Sequence, residues 1–165
     1  EVDMGPLINA KQEKRVLSYM DIGREEGAEV IAGGAKLTGE QYDHGFFVPP
    51  TIFDNVRPEM RIAQEEIFGP VLSVLTYEDE QQAIEVANGT RYGLTATVWT
   101  KDVSRALRLA KAVDVGHVYI NTTGSFGVHG APWGGYKMSG FGRTMAADTI
   151  VEYTQVKTVV IETGA

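Results

Sequence analysis

The chain has 165 residues, no cysteine, and 22 acidic against 15 basic residues, which give a formal net charge of -7 at pH 7. This negative charge disfavours nucleic acid as a partner, and the lack of cysteine excludes disulfides, thiolate metal sites and a cysteine nucleophile on this chain. With 43% hydrophobic residues and no run near the ~18 apolar residues of a membrane span, the composition predicts a globular protein without a membrane segment.

The first predicted element is a helix over residues 10–26. Asn9 and Gln12 have the spacing of a capping box, and Val16 and Met20 then lie on one apolar face. Gly27 provides the stop. A short strand over residues 28–32 is expected next.

Residues 46–52 are predicted to be extended. Pro49 and Pro50 lack the backbone N–H that a helix or a central strand needs, so we expect neither there.

A regular pattern begins at residue 71. Apolar, strand-like runs at 71–76, 94–99 and 117–121 are separated by two helical patterns, whose N-caps are Asp79 and Asp102. Strand and helix alternating in this way predict an α/β fold: a βαβαβ core with a mainly parallel sheet and flanking helices.

A long glycine-rich segment, residues 121–143, follows the third predicted strand. Ligands of open parallel sheets bind beyond the carboxyl ends of strands, so we expect the functional site in this segment. A short helix within 144–152 and a strand of β-branched residues at 156–161 complete the prediction.

Two motifs suggest a family. Residues 65–70 (EEIFGP) and 132–143 (PWGGYKMSGFGR), with Gly5-Pro6-Leu7-Ile8 and the last strand in the same order, resemble the aldehyde dehydrogenase superfamily. The resemblance implies the C-terminal part of such an enzyme. It assigns residues 1–152 to a partial catalytic domain and 153–165 to a C-terminal oligomerisation strand.

The resemblance also implies a reaction. In that family a cysteine attacks the aldehyde, hydride passes to NAD or NADP, and an upstream glutamate activates the water that releases the acid. The nucleophile and the dinucleotide-binding domain precede the region that this chain resembles. We therefore expect no catalytic residue here, and no activity from this chain alone.

Two residues are candidates for binding the cofactor. By resemblance, the Glu66 carboxylate accepts hydrogen bonds from the nicotinamide ribose hydroxyls, and the Phe68 ring lies beside the nicotinamide. The alternatives are a solvated Glu66 and a Phe68 that plugs the core ahead of strand 71–76.

Three residues are candidates for the substrate side. Asn121 either orients a substrate or loop backbone or simply forms a turn. By resemblance, Phe126 and Trp133 belong to the aromatic wall of the aldehyde tunnel. Tryptophan at position 133 favours a cationic aldehyde such as betaine aldehyde or an aminoaldehyde, because indole is the strongest cation-π face; the alternative is a ring that caps the core.

The remaining expectations concern partners and location. His44, His117 and His129 show no metal-ligand spacing, so no metal site is predicted. The resemblance implies a homo-oligomer formed through Val156 to Ile161, and the absence of a signal segment favours the cytoplasm. The chain is interpreted as a fragment of a dehydrogenase; the alternatives are a free-standing non-catalytic subunit and an unrelated binding module.

Overall fold

A computed structural model describes residues 4–123 and 130–164. The chain divides into two compact units, residues 1–89 and 90–165. The first unit contains α1 (Ala10–Glu25), β1 (Glu29–Ala32), β2 (Thr51–Asp54), α2 (Arg61–Gln64), β3 (Val71–Ser73) and α3 (Glu80–Asn88). The second contains β4 (Tyr92–Gly93), β5 (Thr95–Val98), α4 (Val103–Ala112), β6 (His117–Ile120), β7 (Tyr136–Lys137) and α5 (Thr149–Glu152).

Helix α1 begins and ends where the sequence predicts. The Asn9 side chain accepts a hydrogen bond of 2.9 Å from the Gln12 backbone N–H, which satisfies one of the unpaired donors of the first turn. Gly27 follows the helix with a φ of 94°, in the left-handed region that a glycine adopts without strain. The apolar face of α1 therefore enters the core at a fixed register.

The sheet of the first unit has the order β1-β2-β3. Strand β2 is central: it pairs antiparallel with β1 and parallel with β3. The prediction that Pro49 and Pro50 exclude a central strand here was wrong, because the ladder begins one residue after them, at Thr51. The Thr51 N–H donates to the Pro70 carbonyl at 2.8 Å, so the prolines precede the positions that need donors.

The core of the first unit lies between α1, the sheet and the segment around α2. Its largest fully buried apolar side chains are Phe53, Met20, Met60 and Val16. Burial of each such side chain contributes about 1.5–3 kcal/mol relative to exposure, so this cluster fixes the loops that leave it.

In the second unit, β5 and β6 form the parallel pair that the sequence predicts, with Thr95 opposite His117 and Val98 opposite Ile120. Asp79 and Asp102 are the N-caps of α3 and α4, accepting backbone hydrogen bonds of 2.8 and 3.1 Å. The α/β class is confirmed, with parallel pairs β2–β3 and β5–β6 and antiparallel pairs β1–β2 and β4–β7. The predicted βαβαβ pattern is corrected in one respect: β3 belongs to the sheet of β1 and β2, whereas β5 and β6 form a separate two-stranded sheet.

The end of the chain has little pairing. Helix α5 lies within the predicted range 144–152, but residues 156–161 form no strand with any described residue. Val156 and Val160 are 96% and 88% exposed. A strand forms only when a neighbouring edge accepts its hydrogen bonds, and none of the described residues provides such an edge for 156–161. The role of this segment in assembly stays a prediction.

Within residues 4–123 and 130–164, every helix is too short or too polar to cross a bilayer.

Candidate functional site

The first candidate site is the loop of residues 65–70, here called the carboxylate loop, which connects α2 to β3. Ile67 is 7% exposed and enters the core, whereas Phe68 has a φ of 59° and is 73% exposed. A left-handed backbone at a bulky residue is uncommon, and here it accompanies an exposed side chain directly after a buried one. The alternative that Phe68 plugs the core is therefore wrong, because Ile67 occupies that place.

Glu66 points away from the core. The residue is exposed, and none of the described side chains hydrogen-bonds to its carboxylate. A carboxylate in this state has two oxygens available to accept from two hydroxyls of one ligand. Glu66 is therefore available as a hydrogen-bond acceptor, as the cofactor prediction requires.

The Phe68 ring lines an apolar cavity of about 420 Å³. Leu7, Val48 and Pro70 form other parts of its wall. The lining of this cavity is mostly apolar, and the Phe68 side chain on its wall is exposed.

The neighbouring carboxylate, Glu65, has a different environment. It accepts a hydrogen bond of 2.6 Å from the Tyr19 hydroxyl, and two hydrogen bonds of 3.0 Å from the Arg61 guanidinium. The hydrogen bond to Glu65 raises the pKa of Tyr19 above its usual value of 10.0. Glu65 therefore anchors the loop, and Glu66 faces solvent.

Helix α1 contacts the carboxylate loop through side chains that the sequence analysis did not select. The Gln12 amide donates to the carbonyls of Ile67 and Phe68, and the Arg15 guanidinium donates to the carbonyls of Glu66 and Ile67. The available signal was the spacing: Gln12, Arg15 and Tyr19 recur every three to four residues and so share one helix face.

In the second unit, Asn121 directly follows β6 and has a φ of 55°. Its side-chain oxygen accepts from the Thr100 N–H at 2.9 Å, and its amide nitrogen donates to the Thr100 carbonyl at 2.8 Å. The Asn121 amide therefore orients the loop backbone at Thr100, where the chain leaves β5, as one of the alternatives from the sequence stated. A role towards substrate stays a prediction.

Trp133 lies on the glycine-rich segment and is half-buried. Its backbone exchanges two hydrogen bonds of 2.8 Å with Thr144, and its ring centroid lies 4.5 Å from that of His117. It lines a cavity of about 280 Å³, together with Arg143 and Glu152. Trp133 thus has one ring contact with β6 and remains accessible from this cavity.

Two basic residues of this segment donate hydrogen bonds to backbone carbonyls. Arg143 donates to the carbonyls of Gly135 and Gly142 at 3.2 and 2.6 Å, and Lys137 donates to the Thr90 carbonyl at 3.2 Å. Phe126 and His129 lie outside the described residues. Over the described ranges, no group of three or more His, Cys, Asp or Glu side chains is arranged to hold a metal ion.

Comparison with known proteins decides the family. A model of the aldehyde dehydrogenase family matches residues 1–159. The chain belongs to this family. The motifs at 65–70 and 132–143 both fall inside the match.

Individual relatives agree with this assignment. The chain is 46% identical over 159 residues to a betaine aldehyde dehydrogenase of Bacillus subtilis (strain 168), covering 96% of this chain and 32% of the relative. A crystal structure of betaine aldehyde dehydrogenase from Staphylococcus aureus in complex with NAD⁺ is 40% identical with a TM-score of 0.89, covering 93% of this chain and 30% of that one.

A second solved structure, an indole-3-acetaldehyde dehydrogenase complexed with NAD⁺, is 46% identical with a TM-score of 0.88, covering 94% of this chain and 31% of that one. The chain therefore spans about a third of the length of the relatives that it matches.

Proposed function

We propose that this chain is the C-terminal catalytic-domain portion of an aldehyde dehydrogenase, which oxidises an aldehyde to a carboxylic acid with NAD or NADP. The observation that carries the proposal is the carboxylate loop, where a family motif presents an exposed carboxylate and an exposed ring on an anchored backbone. The coverage of about a third of each relative supports the partial nature of the chain.

The residues of this loop fit the nicotinamide end of the cofactor. Glu66 accepts hydrogen bonds from the vicinal ribose hydroxyls, and Phe68 covers one side of the nicotinamide ring and excludes water from it. When bound, the cofactor supplies the hydride acceptor. Two of the relatives described above are NAD⁺ complexes, which supports the same cofactor class here.

The test of this role is Glu66→Gln in the complete dehydrogenase. The amide retains one acceptor oxygen and loses the charge, so we expect weaker NAD binding with nearly unchanged thermal stability. A large loss of melting temperature with normal cofactor kinetics would instead show that Glu66 is a structural carboxylate.

For the substrate, we propose a cationic aldehyde of the betaine aldehyde class that contacts Trp133. The half-buried indole is accessible from its cavity, and a cation over an indole face contributes about 0.5–2 kcal/mol. In this proposal Asn121 positions the β5–α4 connection at the edge of the substrate site, and Phe126 is a second ring of the same wall.

A neutral aromatic aldehyde is the competing substrate, because the indole-3-acetaldehyde enzyme is as similar to this chain as the betaine aldehyde enzyme is. The comparison to make is kcat/KM for betaine aldehyde, indole-3-acetaldehyde and a small uncharged aldehyde. Under the cationic proposal, Trp133→Phe lowers the preference for betaine aldehyde over the small uncharged aldehyde by roughly tenfold. An unchanged ratio would leave Trp133 a packing residue.

The isolated chain is proposed to be inactive. It has no cysteine, and it exposes large apolar side chains that the rest of an enzyme would cover, among them Val103 and Leu107 on α4, which are 72% and 53% exposed. NADH formation above background from the pure chain with NAD and several aldehydes would overturn this. The alternative, a free-standing non-catalytic subunit, predicts a stable assembly of this chain alone.

Assembly and location complete the proposal. The segment from Val156 to Ile161 pairs with a neighbouring subunit, because its backbone forms no strand with any described residue and its apolar side chains are exposed. A cytoplasmic location is proposed for the complete enzyme.

A further inference from the structure

The backbone and the ring of Trp133 are held by different contacts. The backbone exchanges two hydrogen bonds of 2.8 Å with Thr144, and a Cβ atom at the next residue, Gly134, would overlap the Gly142 carbonyl oxygen. The ring packs on His117, with 4.5 Å between the ring centroids and 42° between the ring planes. Backbone hydrogen bonds do not set the χ angles of a side chain, so the direction of the indole depends on the His117 contact.

The position of His117 is set by the parallel strand pair of the second unit. His117 is the first residue of β6, stands opposite Thr95 of β5, and donates its backbone N–H to the Leu94 carbonyl at 3.1 Å. The preceding residue, Gly116, allows a close approach, because a Cβ atom there would overlap the Gly134 carbonyl oxygen. Strand β6 therefore begins in direct contact with the segment that carries the indole.

The described contacts of the His117 imidazole are with two aromatic rings. The Trp133 centroid lies 4.5 Å away, and that of Tyr119, two residues along the same strand face, lies 6.0 Å away with an interplanar angle of 23°. The Nε2 atom is buried and has no hydrogen-bond partner among the described residues, which is unfavourable by itself. Ring pairs at these separations attract one another, so the ring contacts stabilise this side chain where it is.

We propose that His117 is a specificity-determining positioning residue, which holds the Trp133 indole in the direction that presents its π-face to a cationic substrate. This inference rests on the proposed substrate role of Trp133. Trp133 lines the cavity of about 280 Å³ and His117 does not, so His117 acts through the indole. A cation-π contact requires the cation over the ring face, so an indole that turns loses this contact but keeps its apolar surface.

The first experiment measures kcat/KM for betaine aldehyde and for a small uncharged aldehyde in the complete dehydrogenase that contains this chain. His117→Leu keeps an apolar side chain but loses the flat ring, and we expect it to lower the preference for betaine aldehyde about fivefold, mainly through KM. His117→Phe retains a flat ring, so the preference should stay within about twofold of the wild type. Both variants remove Nε2, so the difference between them reports the ring.

Val118→Ala is the matched control. It shortens a half-buried side chain at the next position of β6, on the opposite face of the strand, so it weakens packing without touching the indole. We expect it to leave the preference unchanged.

A second readout needs no substrate. The 165-residue chain has two tryptophans, so Trp99→Phe leaves the fluorescence of Trp133 alone. In this background His117→Leu should shift the emission to longer wavelength, because the indole leaves its half-buried position. His117→Phe and Val118→Ala should leave the emission where it is.

A double-mutant cycle with Trp133→Phe separates positioning from general destabilisation. If His117 acts through the indole, His117→Leu lowers the preference much less in the Trp133→Phe background than in the wild type. Equal effects in both backgrounds overturn the proposal. So does an unchanged preference or an unchanged emission in His117→Leu, or a His117→Phe variant that behaves like His117→Leu.

Two further outcomes are kept apart from these. If His117→Leu does not fold, His117→Gln, which also lacks a ring, takes its place in every comparison. If Trp133→Phe does not change the preference for betaine aldehyde, the proposed substrate role of Trp133 is overturned, and the emission measurement still decides whether His117 positions the indole.

Discussion

Gly69→Ala tests whether the carboxylate loop is packed directly against α1. A Cβ atom at this position would lie 2.4 Å from Cγ2 of Val16 and 3.2 Å from its Cγ1. Val16 is fully buried in the middle of α1, and a helical valine has essentially one χ1 rotamer, so it does not rotate away. The loop or the helix must shift instead.

The expected cost is that of over-packing a core, about 1–3 kcal/mol. For a chain of this size each kcal/mol lowers the melting temperature by about 2–4 °C, so the loss is about 2–12 °C. The assay is urea and thermal unfolding of the 165-residue chain, followed by circular dichroism. Gly5→Ala is the control, because a Cβ there would have no neighbour within 4 Å.

A second substitution identifies the cause. Val16→Ala removes both Cγ atoms and so makes room for the new methyl group, although it costs core burial by itself. Gly69→Ala should therefore be less destabilising in the Val16→Ala background than in the wild type. If Gly69→Ala is as stable as Gly5→Ala, or if the two effects simply add, the packing of the loop against α1 as described is refuted.

Three further predictions concern pH and assembly. The pKa of Tyr19 is raised because its hydroxyl donates to Glu65. The hydrogen bond between them therefore stabilises the fold fully below pH 10.0, and this stabilisation is lost as the pH rises through the higher pKa of Tyr19 in the folded state. In urea unfolding, Tyr19→Phe should lower the free energy of unfolding at pH 8, and this free energy should then fall less steeply above pH 10 than in the wild type. An equally steep fall in both proteins would contradict the prediction. The backbone N–H of Arg105 donates to the Asp102 carboxylate and lowers its pKa below the usual 3.8. The Asp102 cap therefore stabilises α4 fully above pH 3.8, and this stabilisation is lost as the pH falls through the lower pKa of Asp102 in the folded state. Asp102→Asn keeps an acceptor and should reduce the loss of helical circular dichroism between pH 4 and 2; a loss as large as in the wild type would argue against the cap. Truncation after Thr154 should reduce self-association in size-exclusion chromatography with light scattering, whereas two monomers of equal solubility would show that residues 156–161 do not mediate assembly.

The sequence by itself determined the local features and the family. The capping side chains of Asn9, Asp79 and Asp102 each accept the backbone hydrogen bond that their spacing predicts. These signals involve residues three positions apart, so they do not depend on the rest of the fold. The motifs of residues 65–70 and 132–143 identified the family for a similar reason, since a short ordered string of residues is visible without coordinates.

Strand pairing was decided only by the tertiary structure. Residues 51–54 form the central strand of their sheet because β1 and β3 pair with them on either side. The prolines before this strand do not determine whether such partners are present. Residues 156–161 have strong β-propensity but no strand partner in the described structure, because propensity alone does not provide an edge to pair with.

The direction of the site residues was also decided at this level. In the sequence, Ile67 and Phe68 belong to one apolar run. Only the structure shows that Ile67 is buried, and that Phe68, with its left-handed backbone, is exposed. That conformation is accompanied by hydrogen bonds from Gln12 and Arg15, which are more than 50 residues away along the chain. Contacts of such sequence separation form only when the core has brought α1 and the loop together, so no local pattern contains them.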